Sequence, residues 1–152
     1  MRLERAVPVL QVADVGRSMA WYVRVFGFEP GPFPKDPPHT FAILRRDDAE
    51  MMLQAGGSAR SGAATRPGEA KQSGAAEGEG WTVYLRVAGE GLLDFAESAG
   101  CVTPLVRGPE RMFYGLVEFE VLDPDGYRIC VSGSVPAGAN VPVAREREET
   151  AR

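Results

Sequence analysis

The chain holds a single histidine, His39, and only two cysteines, Cys101 and Cys130. One imidazole cannot supply a two- or three-histidine metal site within the chain. Two cysteines without a spacing pattern offer neither a disulfide framework nor a zinc knuckle, and such usage fits a reducing compartment. No stretch approaches the roughly 18 consecutive apolar residues of a membrane span. The opening MRLERAVPVL places arginine and glutamate where a secretory leader would need an apolar centre. A cytoplasmic protein without a membrane partner is expected. An excess of positive charge is also lacking: 17 basic against 21 acidic residues leave a formal charge of −4, which argues against a binder of phosphate backbones and so against nucleic acid as a partner. What remains is an ordinary globular composition, 44% apolar and 25% charged over 152 residues, sufficient for one domain with its own core.

Residues 57–80 contain six Gly, six Ala and three Ser, with no aromatic or branched aliphatic side chain. Such a segment cannot recover its ordering entropy by burial, so a flexible linker is expected there. The tail over 136–152 ends in mixed charges, Arg145, Arg147 and Arg152 against Glu146, Glu148 and Glu149, and is expected to be disordered. These limits give one domain over 1–135, with module one at 5–56, the linker at 57–80 and module two at 81–135.

In module one, residues 7–14 alternate as a strand, and Asp14 can cap a helix whose stripe is Val15, Met19, Tyr22 and Phe26 and whose stop is Gly27. The proline-rich residues 31–38 read as a turn, followed by two strands in HTFAILRR and AEMMLQAG. Module two repeats the order. TVYLRVAG is a strand, and GLLDFAESAG a helix with Leu92, Phe95, Ala96 and Ala99 on one face and Gly100 as its stop. VTPLVRG, GLVEFEVL and YRICVSG follow as strands, the last two joined by the turn Asp123-Pro124-Asp125-Gly126. Leu10-Gln11-Val12-Ala13 corresponds to Leu85-Arg86-Val87-Ala88, and Met51-Met52-Leu53-Gln54 to Tyr127-Arg128-Ile129-Cys130, which predicts two similar modules.

The segments LQVADVGRSMAWYVRVFGF and YGLVEFEVLDPDGYRICVSG carry a further signal. Asp14, Arg17, Ser18, Trp21, Tyr22 and Gly27-Phe28, followed in the second half by Glu118-Phe119 and Asp123-Pro124-Asp125-Gly126, closely resemble the glyoxalase, bleomycin-resistance and extradiol dioxygenase superfamily, the vicinal oxygen chelate proteins. The resemblance covers both halves. It implies an α+β fold of two βαβββ modules whose curved mixed sheets surround a cavity, assembled as a homodimer. It also implies that metal-dependent members hold their ion at positions that Val7, Gln54, Thr82 and Cys130 occupy here. Valine donates nothing, and an amide, a hydroxyl and one thiol do not complete a site for a hard cation, so no metal or other cofactor is expected.

Strand alternation assigns faces. Leu10, Val12, Val83, Leu85, Val87, Val117, Phe119 and Val121 are expected under the helices. Gln11, Gln54, Thr82, Tyr84, Arg86, Glu118, Glu120, Arg128 and Cys130, with Met52, are then expected to face the cavity. Trp81, Phe113 and Tyr114 border loops that could cover a flat ligand. The expected ligand-binding residues are Gln54, Trp81, Tyr84, Arg86, Phe113, Glu118, Glu120 and Arg128. A plainer arrangement also fits, in which Glu118 and Glu120 pair with Arg86 and Arg128 across neighbouring strands. Cys130 reads as a packed thiol, because no motif sets a histidine beside it, and Cys101, just after a helix stop, as an ordinary packing or surface residue. No catalytic residue is assigned.

Three functions fit these residues. The first is metal-independent binding of a small molecule, sequestering an aromatic or cationic compound. The second is a glyoxalase-like lyase, isomerase or dioxygenase, whose metal is held by unconventional donors such as Glu118, Glu120, Gln54 and His39. The third is an interaction domain whose cavity is filled by its own side chains, with the linker as partner segment. Fold alone does not choose among them.

Overall fold

The computed structural model describes residues 1–56 and 80–144. The predicted linker therefore lies outside the described residues except for Gly80, as does the tail beyond Ala144.

The first repeat runs β1 (Val9–Val12), α1 (Val15–Phe26), β2 (Glu29–Phe33), β3 (Phe41–Arg46) and β4 (Ala49–Ala55). The second runs β5 (Val83–Val87), α2 (Leu92–Val102), β6 (Leu105–Arg111), β7 (Val117–Leu122) and β8 (Arg128–Gly133). Their sheets have equivalent orders, β1-β4-β3-β2 and β5-β8-β7-β6. The duplication read from the sequence is thus present in the strand order: among the described residues there are two four-stranded sheets, each with one helix, in an α+β fold. The chain clusters into two compact units, Met1–Val83 with Leu122–Ile129, and Tyr84–Val121 with Cys130–Arg152.

In the first unit, the Asp14 carboxylate accepts from the Arg17 amide at 2.8 Å and so satisfies one of the orphan donors at the start of α1. Gly27 closes the helix with φ 65°, a left-handed conformation that costs glycine nothing. Arg46 donates to the Phe26 carbonyl at the same end, and a Cβ on Gly27 would stand 3.2 Å from its Nη1. The buried face of α1 carries Trp21, Tyr22 and Phe26, which form edge-on and stacked ring contacts with one another. Phe28 joins Tyr22 and Phe26 edge-on at 6.3 Å.

The turn between β7 and β8 belongs to this unit and forms a clasp. Asp123 Oδ1 accepts from the amides of Asp125 and Tyr127 at 2.9 and 2.8 Å, and its Oδ2 accepts from the Tyr22 hydroxyl at 2.9 Å. Asp125 takes the Ala13 amide at 2.9 Å and the Ser18 hydroxyl at 3.0 Å. Both carboxylates are buried, so their donors replace the water they have lost. Burial pushes the Tyr22 phenol well above its ordinary value, with the Asp123 charge adding to it. Burial also pushes Asp123 up, although its amide and phenol donors oppose the shift.

Two expectations are corrected. The proline-rich segment is not wholly a turn, because β2 spans Glu29–Phe33 and pairs with β3 from Glu29↔Arg45 to Phe33↔Phe41. It is the edge strand, where Pro30 and Pro32 need not donate outward. Gly100 does not stop α2, which continues to Val102. The stop is Pro104, which holds the preceding Thr103 extended at φ −144°, ψ 143°. Within the tail, residues 142–144 are paired: Val143 bridges Arg111, whose amide donates to the Pro142 carbonyl at 2.7 Å and whose carbonyl accepts from Ala144 at 2.9 Å. Backbone groups at the open end of edge strand β6 take this segment as their partner.

Of the residues expected beneath the helices, Leu10, Val12, Val83, Val117, Phe119 and Val121 are buried, whereas Leu85 and Val87 are half-buried.

Candidate functional site

In the second unit, β7 presents two chemically opposed faces, as the alternation Val-Glu-Phe-Glu-Val requires. Phe119 meets Phe95 of α2 edge-on at 6.0 Å. Glu118 and Glu120 alternate with it, and they too are buried, with 0% and 4% exposure. Two buried carboxylates on one strand demand partners.

Glu118 Oε1 accepts from two phenols, Tyr84 at 2.6 Å and Tyr114 at 2.7 Å. Its Oε2 accepts from Arg107 Nη2 at 2.9 Å, and the same nitrogen lies 2.9 Å from Glu120 Oε1. Arg107 Nε is 3.4 Å from Glu110. Burial pulls the Arg107 guanidinium down, but Glu120, Glu110 and Glu118 together outweigh it and raise the group above its ordinary value. Burial, and then the hydrogen bond to Glu118, raises both Tyr84 and Tyr114, so each phenol keeps its proton as a donor. Cys130 is fully buried, and burial followed by the charges of Glu118 and Glu120 pushes its thiol far above the ordinary range.

Arg107 reaches this face because β6 is irregular. The β6–β7 register runs Leu105↔Val121, Arg107↔Glu120 and Glu110↔Glu118, with a shift between each successive pair. In an even ladder Arg107 would share the face of Leu105, whose Cγ approaches Gly100 of α2. The first shift carries it to the face of Glu120. Gly108 permits the second. Its φ is 75°, and a Cβ there would stand 2.2 Å from the Glu118 carbonyl oxygen.

The structure thus gathers three of the expected site residues, Tyr84, Glu118 and Glu120, with three that were not on that list, Arg107, Glu110 and Tyr114. The pairing expected from Arg86 is replaced by Arg107, and Arg86 is exposed. Simple alternation could not find Arg107. The available signal was Gly108-Pro109 at the end of the predicted strand VTPLVRG, a pair that marks a bulge. Phe113 is 87% exposed beside this network and packs edge-on against Tyr114 at 4.8 Å. Gln54, Trp81 and Arg128 belong to the other unit, where Gln54 pairs with Gln11 in the β1–β4 ladder and Trp81 is 44% exposed.

The four positions at which the family would hold a metal do not fit one. Val7 is a hydrocarbon, Gln54 and Thr82 offer exposed neutral oxygens, and Cys130 keeps its proton in a fully buried setting. The unconventional donors are otherwise engaged. Glu118 and Glu120 hold Arg107, and His39 Nδ1 lies 2.9 Å from the Pro34 carbonyl. Among the described residues, no group of three or more His, Cys, Asp or Glu side chains is arranged to hold a metal ion. No helix among them is long and apolar enough to cross a membrane.

The repeated modules, the aspartate turn and a polar strand face define a protein of the paired βαβββ class. The family model for the Glyoxalase/Bleomycin resistance protein/Dioxygenase superfamily matches residues 4–131, and the chain belongs to that superfamily. Several solved structures share the fold. TioX from Micromonospora sp. ML1 is 21% identical with a TM-score of 0.55, over 88% of this chain and 98% of that one. A bleomycin-binding protein complexed with bleomycin is 20% identical with a TM-score of 0.54, over 87% and 99%. A bleomycin resistance determinant encoded on the transposon Tn5 is 20% identical with a TM-score of 0.54, over 87% and 98%. No curated protein matches the chain significantly.

Proposed function

We propose that this chain is a metal-independent small-molecule-binding protein of the superfamily, a cytoplasmic homodimer that sequesters an aromatic or cationic compound. The observation that carries the reading is the exposed ring of Phe113 beside a fully buried carboxylate, Glu118, whose donors include the neighbouring Tyr114. An apolar ring left in water next to a fixed polar network is the pairing of surface and anchoring group that small-molecule sites use. The bleomycin-bound relative, alike in fold, supports the same direction. The family metal positions, occupied by Val7, Gln54, Thr82 and Cys130, support chemistry that needs no ion.

Titration calorimetry of the purified chain against a panel of aromatic and cationic compounds tests this. Saturable binding of at least one is expected, and a folded preparation that binds none overturns the reading. Elemental analysis of protein prepared without chelator tests metal independence, and one divalent ion per chain overturns it. Sedimentation equilibrium tests the dimer.

A further inference from the structure

The hydrogen-bonding of Glu118 leaves a ligand little room. Each carboxylate oxygen offers two lone-pair positions, and on Oε1 two phenols stand within hydrogen-bonding distance, Tyr84 at 2.6 Å and Tyr114 at 2.7 Å. A further donor reaches that oxygen only by displacing one of them. The two phenols are held very differently. Tyr84 lies in strand β5 and is half-buried. Tyr114 stands in the short turn between β6 and β7, where the Met112 amide donates to Leu116 at 2.8 Å and the Gly115 amide to Met112 at 2.9 Å. It is 44% exposed, and its neighbour Phe113 is 87% exposed.

We infer that Tyr114 is a gate on Glu118: its phenol occupies Oε1 as a stand-in donor, and a flat ligand bearing a cationic N–H group enters by displacing it. The inference deepens the proposed binding function and rests on it. An amidinium, guanidinium or primary ammonium group supplies the N–H that replaces the phenol in a charge-assisted hydrogen bond. A quaternary ammonium lacks that hydrogen and cannot. The released turn carries Phe113 with it, so the ring of the ligand meets an aromatic neighbour once its cation is seated. The closed arrangement holds back weak donors and admits those that bind a carboxylate strongly, because the intrinsic affinity is reduced by the fraction of time the gate stands open.

The test compares wild type with Tyr114→Phe, which keeps the ring and removes the donor. Three probes are titrated: benzamidine, benzyltrimethylammonium and benzyl alcohol. Benzamidine is expected to bind Tyr114→Phe about three- to tenfold more tightly than wild type, since the gate no longer competes. Benzyltrimethylammonium is expected to be indifferent to the substitution, whereas benzyl alcohol, a weak donor that the closed gate holds back, is expected to gain as well. Hydrogen exchange supplies a ligand-free measurement, in which the Gly115 amide exchanges faster in Tyr114→Phe than in wild type. Benzamidine binding that is unchanged or weakened, or an equal gain for benzyltrimethylammonium, overturns the gate. A compound of the wider panel that bears a cationic N–H group and binds both proteins equally overturns the gate while leaving the binding function standing. Absence of binding by every compound to both proteins overturns the two together.

Discussion

Arg107 lies opposite Glu120 in the β6–β7 ladder, and one of its nitrogens stands 2.9 Å from carboxylate oxygens of both Glu120 and Glu118. The guanidinium is the charge that allows two glutamates to be buried on one strand. Replacing it with methionine, Arg107→Met, keeps much of the apolar stem and removes the cation that the two carboxylates share. Removal of one partner from a buried pair is strongly destabilising, and the 29% exposure of Arg107 moderates it. A loss of about 2–4 kcal/mol in urea unfolding is expected.

Gly108 is the position from which that geometry is lost most directly. At φ 75°, with a would-be Cβ 2.2 Å from the Glu118 carbonyl oxygen, alanine forces the β6–β7 backbone apart. Gly108→Ala is expected to cost roughly 2–4 kcal/mol, read from a denaturant midpoint shift with unchanged slope.

The Asp123 clasp predicts a similar but smaller effect. Tyr22→Phe leaves the buried Asp123 carboxylate with its two amide donors and without the phenol. A loss of about 1–2 kcal/mol is expected, with the ring packing retained.

Alkaline behaviour follows from the phenols. Tyr22, Tyr84 and Tyr114 are all raised above 10.0 in the folded chain, by burial first and by their carboxylate partners next. The unfolded chain releases these protons near the ordinary value while the folded chain retains them. Their contribution to stability is therefore full below about pH 10 and falls as pH rises above it. Phenolate absorbance from these three residues should appear together with unfolding, and Tyr22→Phe should reduce the alkaline slope of stability.

The thiols should separate cleanly. Cys101 is exposed, whereas Cys130 is buried with its thiol pushed up by burial and by Glu118 and Glu120. A thiol reagent at neutral pH is expected to label one cysteine per native chain and two after denaturation, and Cys101→Ala should abolish native labelling.

Much of the fold was legible because its signals are local. The Asp14 cap, the Gly27 stop and the Asp123-Pro124-Asp125-Gly126 turn each act within a few residues, and each is present as read. Gly100 misled because Pro104, four residues later, governs where α2 ends. The proline-rich β2 was hidden because its place at a sheet edge, invisible in sequence, is what tolerates its prolines.

The sequence by itself determined the duplicated order of strands and helices, the superfamily, and the placement of Glu118 and Glu120 on one strand face, all consequences of short-range periodicity. Only the tertiary structure decided that Arg107 would hold those carboxylates and that Tyr84 and Tyr114 would converge on a single oxygen. A register shift inverts which face a side chain takes, and the partners of a buried charge come from strands and turns that sequence separation does not bring together.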